Sequence, residues 1–532
     1  MSRIKPNINM FIIHIIFFLI AISGFFCVFS FSEGINFYDL YDFIEGVFWA
    51  EASLKSHSIV NPDYVYYYVV PFGSNIIMAP LVKLFGVSFF SNQVGMLFFF
   101  FIYLCTLYRL SKSLYENIGS RLLFCSITSL FIYTYTGDNL LHHLLCYGIG
   151  FVCFLGELSC IVNIRNHRNT HLNSVLLIVF CLWSSANGVV TVALCTIPVL
   201  LGFLYLLYCQ KKINKDDLIV LSLVIIFTIA GLFVYRHYNS TAFSLNQYVY
   251  RFIFADTDRI LSNLSHNLFS DYLKVFYFNP TNVSLLSSKG LFALIRLAFS
   301  LSLIIFPLFS YHLRRSKSGS TVTLDESRKL LLWSSSVVLF ICVFQYTLFK
   351  TSVQRYLFNG ILSIFLINAF LFTDRMNKQP QMILQLSVLI LVVSLSLRTI
   401  FYTFPMGEKS KEKLIQINDI LNQEGLSYGY TTMRYYKVLE LISKGKNKNT
   451  TIAYDEERGL FIVEYDRIYL HENEKPSNLT YFYVLTRDVA QNAEEKEFIP
   501  LLEKIKSNKI VIADVSIYVI DIDSWDKIFA ER

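Results

Sequence analysis

Residues 10–31 read MFIIHIIFFLIAISGFFCVFSF, an apolar run without a single charged residue. A helix needs about 20 apolar residues to cross the hydrocarbon core of a bilayer, so this run is long enough to span it. Two basic residues, Arg3 and Lys5, precede the run, and no Ala-x-Ala cleavage pattern follows it. The sequence therefore predicts a retained transmembrane helix rather than a secretory signal peptide.

Further apolar runs continue the pattern and bring the predicted total to about eleven spans. They are Phe90–Leu107, Leu122–Tyr135, Leu140–Val162, Ser174–Ser185, Val189–Tyr208, Leu218–Tyr235, Leu291–Tyr311, Leu330–Phe349, Tyr356–Thr373 and Met382–Tyr402. The composition agrees, because 54% of the residues are hydrophobic and only 16% are charged, whereas a soluble protein is about one-quarter charged. A disordered chain and a typical cytosolic enzyme are therefore excluded. The cysteines lie in or beside apolar runs and form no CxxC pair, which predicts apolar packing rather than a metal or redox site.

Charge in the loops predicts the orientation of these spans. The short loops of one alternate set are basic, with Arg3/Lys5, Arg109/Lys112/Arg121, Arg165/Arg168, Lys211/Lys212/Lys215, Arg314/Arg315/Lys317 and Arg375/Lys378. Short basic loops stay in the cytoplasm, so residues 32–89, 237–290 and 350–355 are expected to face outward. The N-terminus is then cytoplasmic and the C-terminal region periplasmic or extracellular, in a multi-pass protein of a bacterial inner (plasma) membrane.

The last part of the chain differs in charge from the rest. Residues 403–532 contain 18 Lys and Arg against 22 Asp and Glu, a net charge of −4, whereas residues 1–402 carry a net +11. Periodicity predicts helices at 412–423, 433–443 and 494–507, and strands at 427–432, 460–465, 480–486, 509–513 and 516–520. We therefore predict an all-α polytopic membrane domain over residues 1–402, with outer loops at 32–89 and 237–290. A small extracytoplasmic α/β domain follows over residues 403–532.

The first outer loop contains three regularly spaced carboxylates, Asp39, Asp42 and Glu45, among aromatic residues. A spacing of three places them on one side of a helix, and a carboxylate in apolar surroundings is suited to act as a general base. An amphipathic helix that lies on the membrane explains the same pattern. Further along, Tyr67 and Asn75 are candidates for substrate contacts, because aromatic outer loops commonly stack on sugar rings; an interfacial aromatic belt is the alternative.

Two more outer sites contain functional candidates. Asp138 is followed one helical turn later by His142 and His143 at the outer end of a predicted span, where ionisable groups are costly and are functional candidates. They are expected to contact a substrate or metal, or merely to start a helix. Lys350 and Arg355, with Tyr356, place two cations on the outer side against the positive-inside trend. Arginine at this position is suited to bind a phosphate. The alternative is that both cations snorkel from the lipid boundary to water.

Together these features resemble the C-type (GT-C fold) glycosyltransferases. The resemblance includes the Pro71-Phe72-Gly73-Ser74-Asn75 segment that leads into Pro80–Gly86, and the Arg355-Tyr356-Leu357 step. The tail segments Gly425–Tyr430 and Val438–Gly445 are similar to those of bacterial membrane members that use polyprenyl-phosphate sugars, as in O-antigen-modifying glucosyltransferases.

The resemblance implies an inverting transfer of a sugar from a polyprenyl-phosphate (undecaprenyl-phosphate) donor to a hydroxyl of a glycan or lipid-linked acceptor on the outer face. The base would be one of the first-loop carboxylates, with Asp42 as first choice. Asp138, His142 and His143 would form a second motif, and Arg355 with Lys350 would hold the lipid phosphate. The first loop lacks a paired acidic motif, so the identity of the base and the participation of a divalent metal stay open. No other cofactor and no nucleic-acid partner is implied.

Two other classes of membrane protein compete with this interpretation. A lipid-linked glycan polymerase or ligase is expected to rely on outer-loop arginines more than on a first-loop carboxylate. A transporter or flippase is expected to carry charges near the bilayer midplane and internal inverted repeats. The sequence shows no repeat and few such charges beyond Glu157.

Overall fold

The computed structural model describes most of the chain as helices packed side by side, with a small sheet near the C-terminus. The described residues are 8–29, 40–66, 69–134, 148–211, 213–244, 254–276, 278, 284, 287–317, 325–349, 357–378, 382–431, 437–455, 459–462, 481–487, 499–500, 502–503, 508–512 and 515–521.

The helices, numbered in chain order, are α1 Ile8–Phe29, α2 Leu40–Ser56, α3 Asn75–Phe85, α4 Phe89–Leu114, α5 Ile118–Thr128, α6 Ile149–Arg165, α7 Thr170–Ser185, α8 Val189–Leu194, α9 Thr196–Gln210, α10 Lys215–Thr241, α11 Thr257–Ser262, α12 Leu268–Val275, α13 Ser288–Lys317, α14 Glu326–Leu348, α15 Phe358–Lys378, α16 Met382–Arg398, α17 Phe404–Gln423 and α18 Val438–Ile442. The strands are β1 Val65–Tyr66, β2 Phe243–Ser244, β3 Tyr428–Thr431, β4 Lys448–Asp455, β5 Gly459–Ile462, β6 Tyr481–Arg487, β7 Asn508–Ile512 and β8 Val515–Asp521.

Within the described residues, 6 helical segments are long and apolar enough to cross a membrane. They are Met10–Phe29, Phe89–Leu114, Val189–Gln210, Lys215–Thr241, Gly290–Pro307 and Glu326–Leu348. Shorter apolar helices, including Ile118–Tyr133, Thr170–Ser185, Phe358–Asp374 and Leu386–Phe401, coincide with other predicted spans. The multi-span helical architecture is thus confirmed, whereas the total of about eleven spans stays a prediction.

Helix α6 lies at the centre of the membrane part. Its residues from Ile149 to Ile164 are buried, with the exception of the half-buried Asn163. A helix that is apolar on all sides is stable only when it is enclosed by other helices, and α6 contacts α4, α7, α9 and α10. By contrast, α10 buries only Asp217, Val220, Val224 and Gly231, so most of its apolar surface is left for lipid.

The described parts of the basic loops that were predicted to share one side of the membrane meet at one end of the bundle. Arg165 lies 3.0 Å from Asp217 and 3.1 Å from Glu326, which joins the ends of α6, α10 and α14. Arg328 pairs with Asp374 at 3.0 Å and ties α14 to α15. We call this the basic end and the opposite one the outer end.

The first helix of the tail, α17, is continuous with α16, the last helix of the membrane part. A π-helical turn at Thr399–Thr403 joins α16 to α17, so the predicted boundary between residues 402 and 403 falls inside one continuous helical rod. The Phe26 and Phe404 rings meet edge to face at 5.1 Å between centroids, which packs the start of α17 against α1.

The tail contains the mixed helices and strands that its sequence predicts. Its 6-stranded sheet has the order β5-β4-β3-β6-β8-β7, in which β3 runs parallel to both of its neighbours. Strand β4 was not predicted, because its Asn-rich start resembles a loop.

Candidate active site

Two of the three first-loop carboxylates lie on α2. Asp42 is in the first turn of this helix, and Glu45 follows one turn later. Glu45 has no solvent exposure, and residues 44–50 are buried on every side of the helix. A loop helix is enclosed in this way only when other elements cover it, so the contacts of α2 define the candidate site. Asp39 lies outside the described residues.

Helix α3 covers one side of α2 at very close range. A Cβ atom placed on Gly46 would lie only 2.7 Å from Ser74 Oγ and 2.8 Å from Ser74 Cβ. Only glycine at position 46 permits this approach of the two helices. The Pro71–Asn75 segment, which carries part of the family resemblance, is therefore packed directly against the acidic helix.

Asn75 holds this contact together. Its Nδ2 donates to Ser53 Oγ at 3.0 Å and to the Ile59 carbonyl at 3.1 Å, and Ser53 Oγ donates to the same carbonyl at 2.7 Å. The amide donors of Asn75 are thus used inside the loop. Its Oδ1 is buried and accepts no hydrogen bond from the described residues. The structure shows Asn75 as a clamp between α2 and α3.

Aromatic side chains close the next side of α2. Trp49 and Tyr66 meet edge to face at 5.2 Å between ring centroids, and Tyr64 packs on Tyr66 at 5.0 Å. The Tyr66 hydroxyl also accepts the Asn61 backbone N–H at 2.9 Å. Strand β1 then pairs in parallel with β2, which joins the first predicted outer loop to the start of the second. Tyr67, the predicted sugar-stacking residue, lies outside the described residues.

The turn after α7 anchors the same loop from the membrane side. Asn187 Oδ1 accepts the Phe72 backbone N–H at 2.9 Å, and Trp183 Nε1 donates to the Phe72 carbonyl at 2.8 Å. The sequence analysis did not assign Asn187 to the site. The only signal was its position between two apolar runs, Ser174–Ser185 and Val189–Tyr208. Gly188 completes the turn with a φ of 108°, a conformation that favours glycine.

The tail forms the remaining cover. Lys437, in the turn before α18, is buried and pairs with Glu440 at 2.7 Å. The Lys437 ammonium lies 5.4 Å from the centroid of the Phe48 ring on α2, within the range of a cation–π contact. This pair was missed by the sequence analysis because nothing in the local pattern links position 437 to position 48.

The second outer loop packs over the end of α14, next to the predicted phosphate site. Phe254 forms an isolated antiparallel bridge with Phe349, and Tyr346 donates to Asp271 Oδ2 at 2.7 Å. Burial raises the pKa of the Tyr272 phenol, which stays a neutral donor to the Ser300 carbonyl at 2.7 Å. The predicted site residues Lys350, Arg355, Tyr356, Asp138, His142 and His143 lie outside the described residues.

Glu157 does not belong to this outer cluster. It lies on α6 with no solvent exposure, and its Oε1 accepts from Thr196 Oγ1 at 2.9 Å and from Ser184 Oγ at 3.2 Å. Its contacts fasten α6 to α7 and to the start of α9. No group of three or more metal-ligating side chains occurs among the described residues.

Similar solved structures include two of ArnT from Cupriavidus metallidurans. The apo structure is 10% identical in sequence, with a TM-score of 0.45 over 94% of this chain and 97% of that one. The structure bound to undecaprenyl phosphate is also 10% identical, with a TM-score of 0.46 over 95% of this chain and 97% of that one. No protein-family model matches the chain, and no curated protein shows a significant sequence match.

The contact between α2 and α3 predicts a paired effect of two substitutions. Gly46→Ala should lower the free energy of unfolding by about 1–3 kcal/mol, the usual range for overpacking, because the new methyl group meets Ser74. Adding Ser74→Gly should restore much of the loss, since it removes both atoms that the methyl group would strike. The melting temperatures of the wild type, Gly46→Ala and the double variant, all solubilised in detergent, test this. A Gly46→Ala variant that melts like the wild type would contradict the close approach.

The buried ion pair of the tail predicts a different loss. Lys437→Met leaves Glu440 buried without its cation, and breaking a buried pair typically costs about 3–5 kcal/mol. Lys446→Met is the matched control, because Lys446 is exposed on the same part of the tail. We expect the first variant to melt at a distinctly lower temperature and the second to melt like the wild type. Equal melting temperatures for both variants would show that the buried pair does not stabilise the tail.

Proposed function

We propose that this protein is an inverting membrane glycosyltransferase that moves a sugar from a polyprenyl-phosphate donor to an acceptor hydroxyl at the outer end of the bundle. The observation that carries the proposal is the enclosed acidic helix α2. The turn after α7 holds the segment that packs on it, the second outer loop pairs with its neighbour β1, and the tail contacts its Phe48. A scaffold protein has no need to bury a carboxylate at such a junction.

We assign Asp42 as the general base. The reaction needs a carboxylate that accepts the proton of the acceptor hydroxyl while that hydroxyl attacks the sugar carbon opposite the leaving phosphate. General-base assistance of this kind contributes about 10²–10⁴-fold to the rate. Glu45 is fully enclosed one turn further along α2, so we assign it a positioning role, and Asp39 is the alternative base.

Arg355, with Lys350 and Tyr356, is proposed to hold the donor phosphate. The leaving group is a phosphate ester that gains charge as the bond to the sugar breaks, and a fixed cation stabilises that charge. The flanking residues support this place, because Phe349 pairs with the second outer loop and Leu357 is buried where α15 begins. Little protonation of the leaving group is required, which suits arginine better than an acid.

The remaining assignments complete the proposal. Asp138, His142, His143 and Tyr67 are proposed to contact the sugar or the acceptor, and Asn75 to shape the loop that they share with α2. The orientation follows the loop charges, with the N-terminus in the cytoplasm and residues 403–532 forming a periplasmic domain that helps to bind the acceptor. A hexose donor and a surface polysaccharide or O-antigen acceptor are the proposed substrates.

The base assignment predicts that Asp42→Asn abolishes sugar transfer and leaves membrane insertion and melting temperature unchanged. The matched control is Glu51→Gln on the same helix, because Glu51 forms only a partly exposed pair with Lys55 at 3.1 Å. The purified protein is tested in an in vitro transfer assay with a panel of polyprenyl-phosphate sugars and glycan acceptors. Full activity of Asp42→Asn would transfer the base role to Asp39, and full activity of Asp42→Asn, Asp39→Asn and Glu45→Gln alike would refute a first-loop base.

The phosphate assignment predicts a change in donor use. Arg355→Ala should raise the donor concentration needed for half-maximal transfer at least tenfold, because the lost contact is to the phosphate and not to the acceptor. Arg259→Ala on α11 is the control, since Arg259 is an exposed cation of the second outer loop. Steady-state rates measured at varied donor concentration and fixed acceptor concentration distinguish a loss of donor binding from a loss of acceptor binding. An unchanged donor dependence would remove Arg355 from the site.

A further inference from the structure

A polar cleft opens at the basic end of the bundle, opposite the candidate active site. One lobe has a volume of about 760 Å³ and the other about 640 Å³. Both lobes are lined by Ser113, Tyr115, Glu116 and Arg168, so they form one continuous cleft. Its walls are the adjoining ends of α4, α5, α6, α7 and α14. The proposed glycosyl transfer uses none of these residues.

The cleft has a surplus of positive charge. Its cations are Arg109, Lys112, Arg121, Arg168 and Arg328, and its carboxylates are Glu116 and Asp325. Arg328 is compensated by Asp374 at 3.0 Å. The other four cations form no ion pair within the described part of the chain, although the neighbouring basic Arg165 has two acidic partners. The surplus is therefore a property of the cleft and not of the whole basic end.

Neutral acceptors hold several of these cations in place. Arg121 Nε donates to the Tyr115 carbonyl at 2.8 Å, Arg168 Nη1 reaches the Ser113 carbonyl at 3.5 Å, and Arg109 Nη2 donates to Asn173 Oδ1. A carbonyl or amide oxygen orients a guanidinium without neutralising it. The Nε–H of Arg109 is buried and has no acceptor among the described residues. These guanidinium groups are thus oriented by neutral acceptors and keep their charge.

Three helices also begin at the cleft. Asn117 caps α5, Asn169 precedes α7, and Asp325 precedes α14, and all three residues line the lobes. Helix N-termini carry partial positive charge and favour phosphate groups. Together with guanidinium groups, which bind phosphate oxygens in pairs, they are suited to a phosphate group.

An apolar strip continues from the cleft along α7. Leu172 lines the cleft and is 54% exposed, and Val175 and Val179 follow at 57% and 48%. Residues three and four positions apart share one face of a helix, so these side chains form one strip. On the other side of the cleft, Ile118 is 50% exposed. A phosphate in the cleft thus has apolar surface beside it for an acyl chain.

We propose that this cleft binds the phosphate group of an anionic membrane lipid in the leaflet at the basic end, with an acyl chain along the Leu172–Val179 face of α7. The lipid would join five helix ends whose own charges repel one another. Basic pockets between membrane helices on the cytoplasmic side are suited to such head groups.

The test uses the full-length protein in detergent, titrated with phosphatidylglycerol or phosphatidylcholine and followed by native mass spectrometry. We expect saturable binding of phosphatidylglycerol and much weaker binding of phosphatidylcholine. Lys112→Gln and Arg168→Gln change exposed side chains, so both variants are expected to fold. Each should weaken phosphatidylglycerol binding about fivefold, because a cation near a lipid surface contributes about 1 kcal/mol, and the double variant more than tenfold.

The control is Arg259→Gln, an exposed cation of the second outer loop, which should bind phosphatidylglycerol like the wild type. Equal binding of the two lipids, or unchanged phosphatidylglycerol binding in the double variant, would overturn the proposal. Competition with inorganic phosphate distinguishes a lipid head group from a soluble phosphate as the bound anion. Displacement of the lipid only at millimolar phosphate supports a lipid site. Micromolar displacement would identify a soluble anion as the ligand and overturn the lipid assignment.

Discussion

The structure depends on one constraint: hydrocarbon offers no hydrogen bonds, so each polar group in the membrane part must find its partner within the protein or lie at an end of the bundle. Glu157 shows the first solution, because hydroxyls from α7 and α9 donate to one of its carboxyl oxygens. Arg165 and Arg328 show the second, with acidic partners at the basic end. The sparse charge of residues 1–402 is therefore concentrated in a few places, and those places are where chemistry or binding can occur.

At the outer end, buried backbone groups of the candidate site need hydrogen-bond partners as much as buried side chains do. Residues 71–74, which precede α3, form neither helix nor strand, and Asn187 and Trp183 satisfy both polar groups of the Phe72 backbone. This segment then supports α2 through Gly46. The helix that carries the proposed base is thus held by many weak contacts, and a base on a rigid helix would need less reorganisation when the acceptor hydroxyl is presented.

The parts of this fold that follow from local pattern were predictable. Apolar runs predict helices such as α1 and α14, and basic loops predict that Arg109 and Arg165 share one end of the bundle. The contacts that build the site were not predictable, because they join distant positions: Phe72 with Asn187, β1 with β2, and Phe48 with Lys437. Strand β4 was missed because its Asn-rich start resembles a loop, and its parallel pairing with β3 is a contact that the local pattern does not show.

Helix α7 connects the two ends mechanically. At its outer end, Trp183 and the following Asn187 hold the Phe72 backbone; at its basic end, Asn169 and Leu172 line the cleft. A helix of this length extends over about 24 Å at 1.5 Å per residue, and a packed helix moves more readily as a rigid body than by compression. A displacement of the Phe72 segment that carries α7 with it therefore changes the width of the cleft. A lipid phosphate bound in the cleft as proposed would contact the same helix that holds the Phe72 segment.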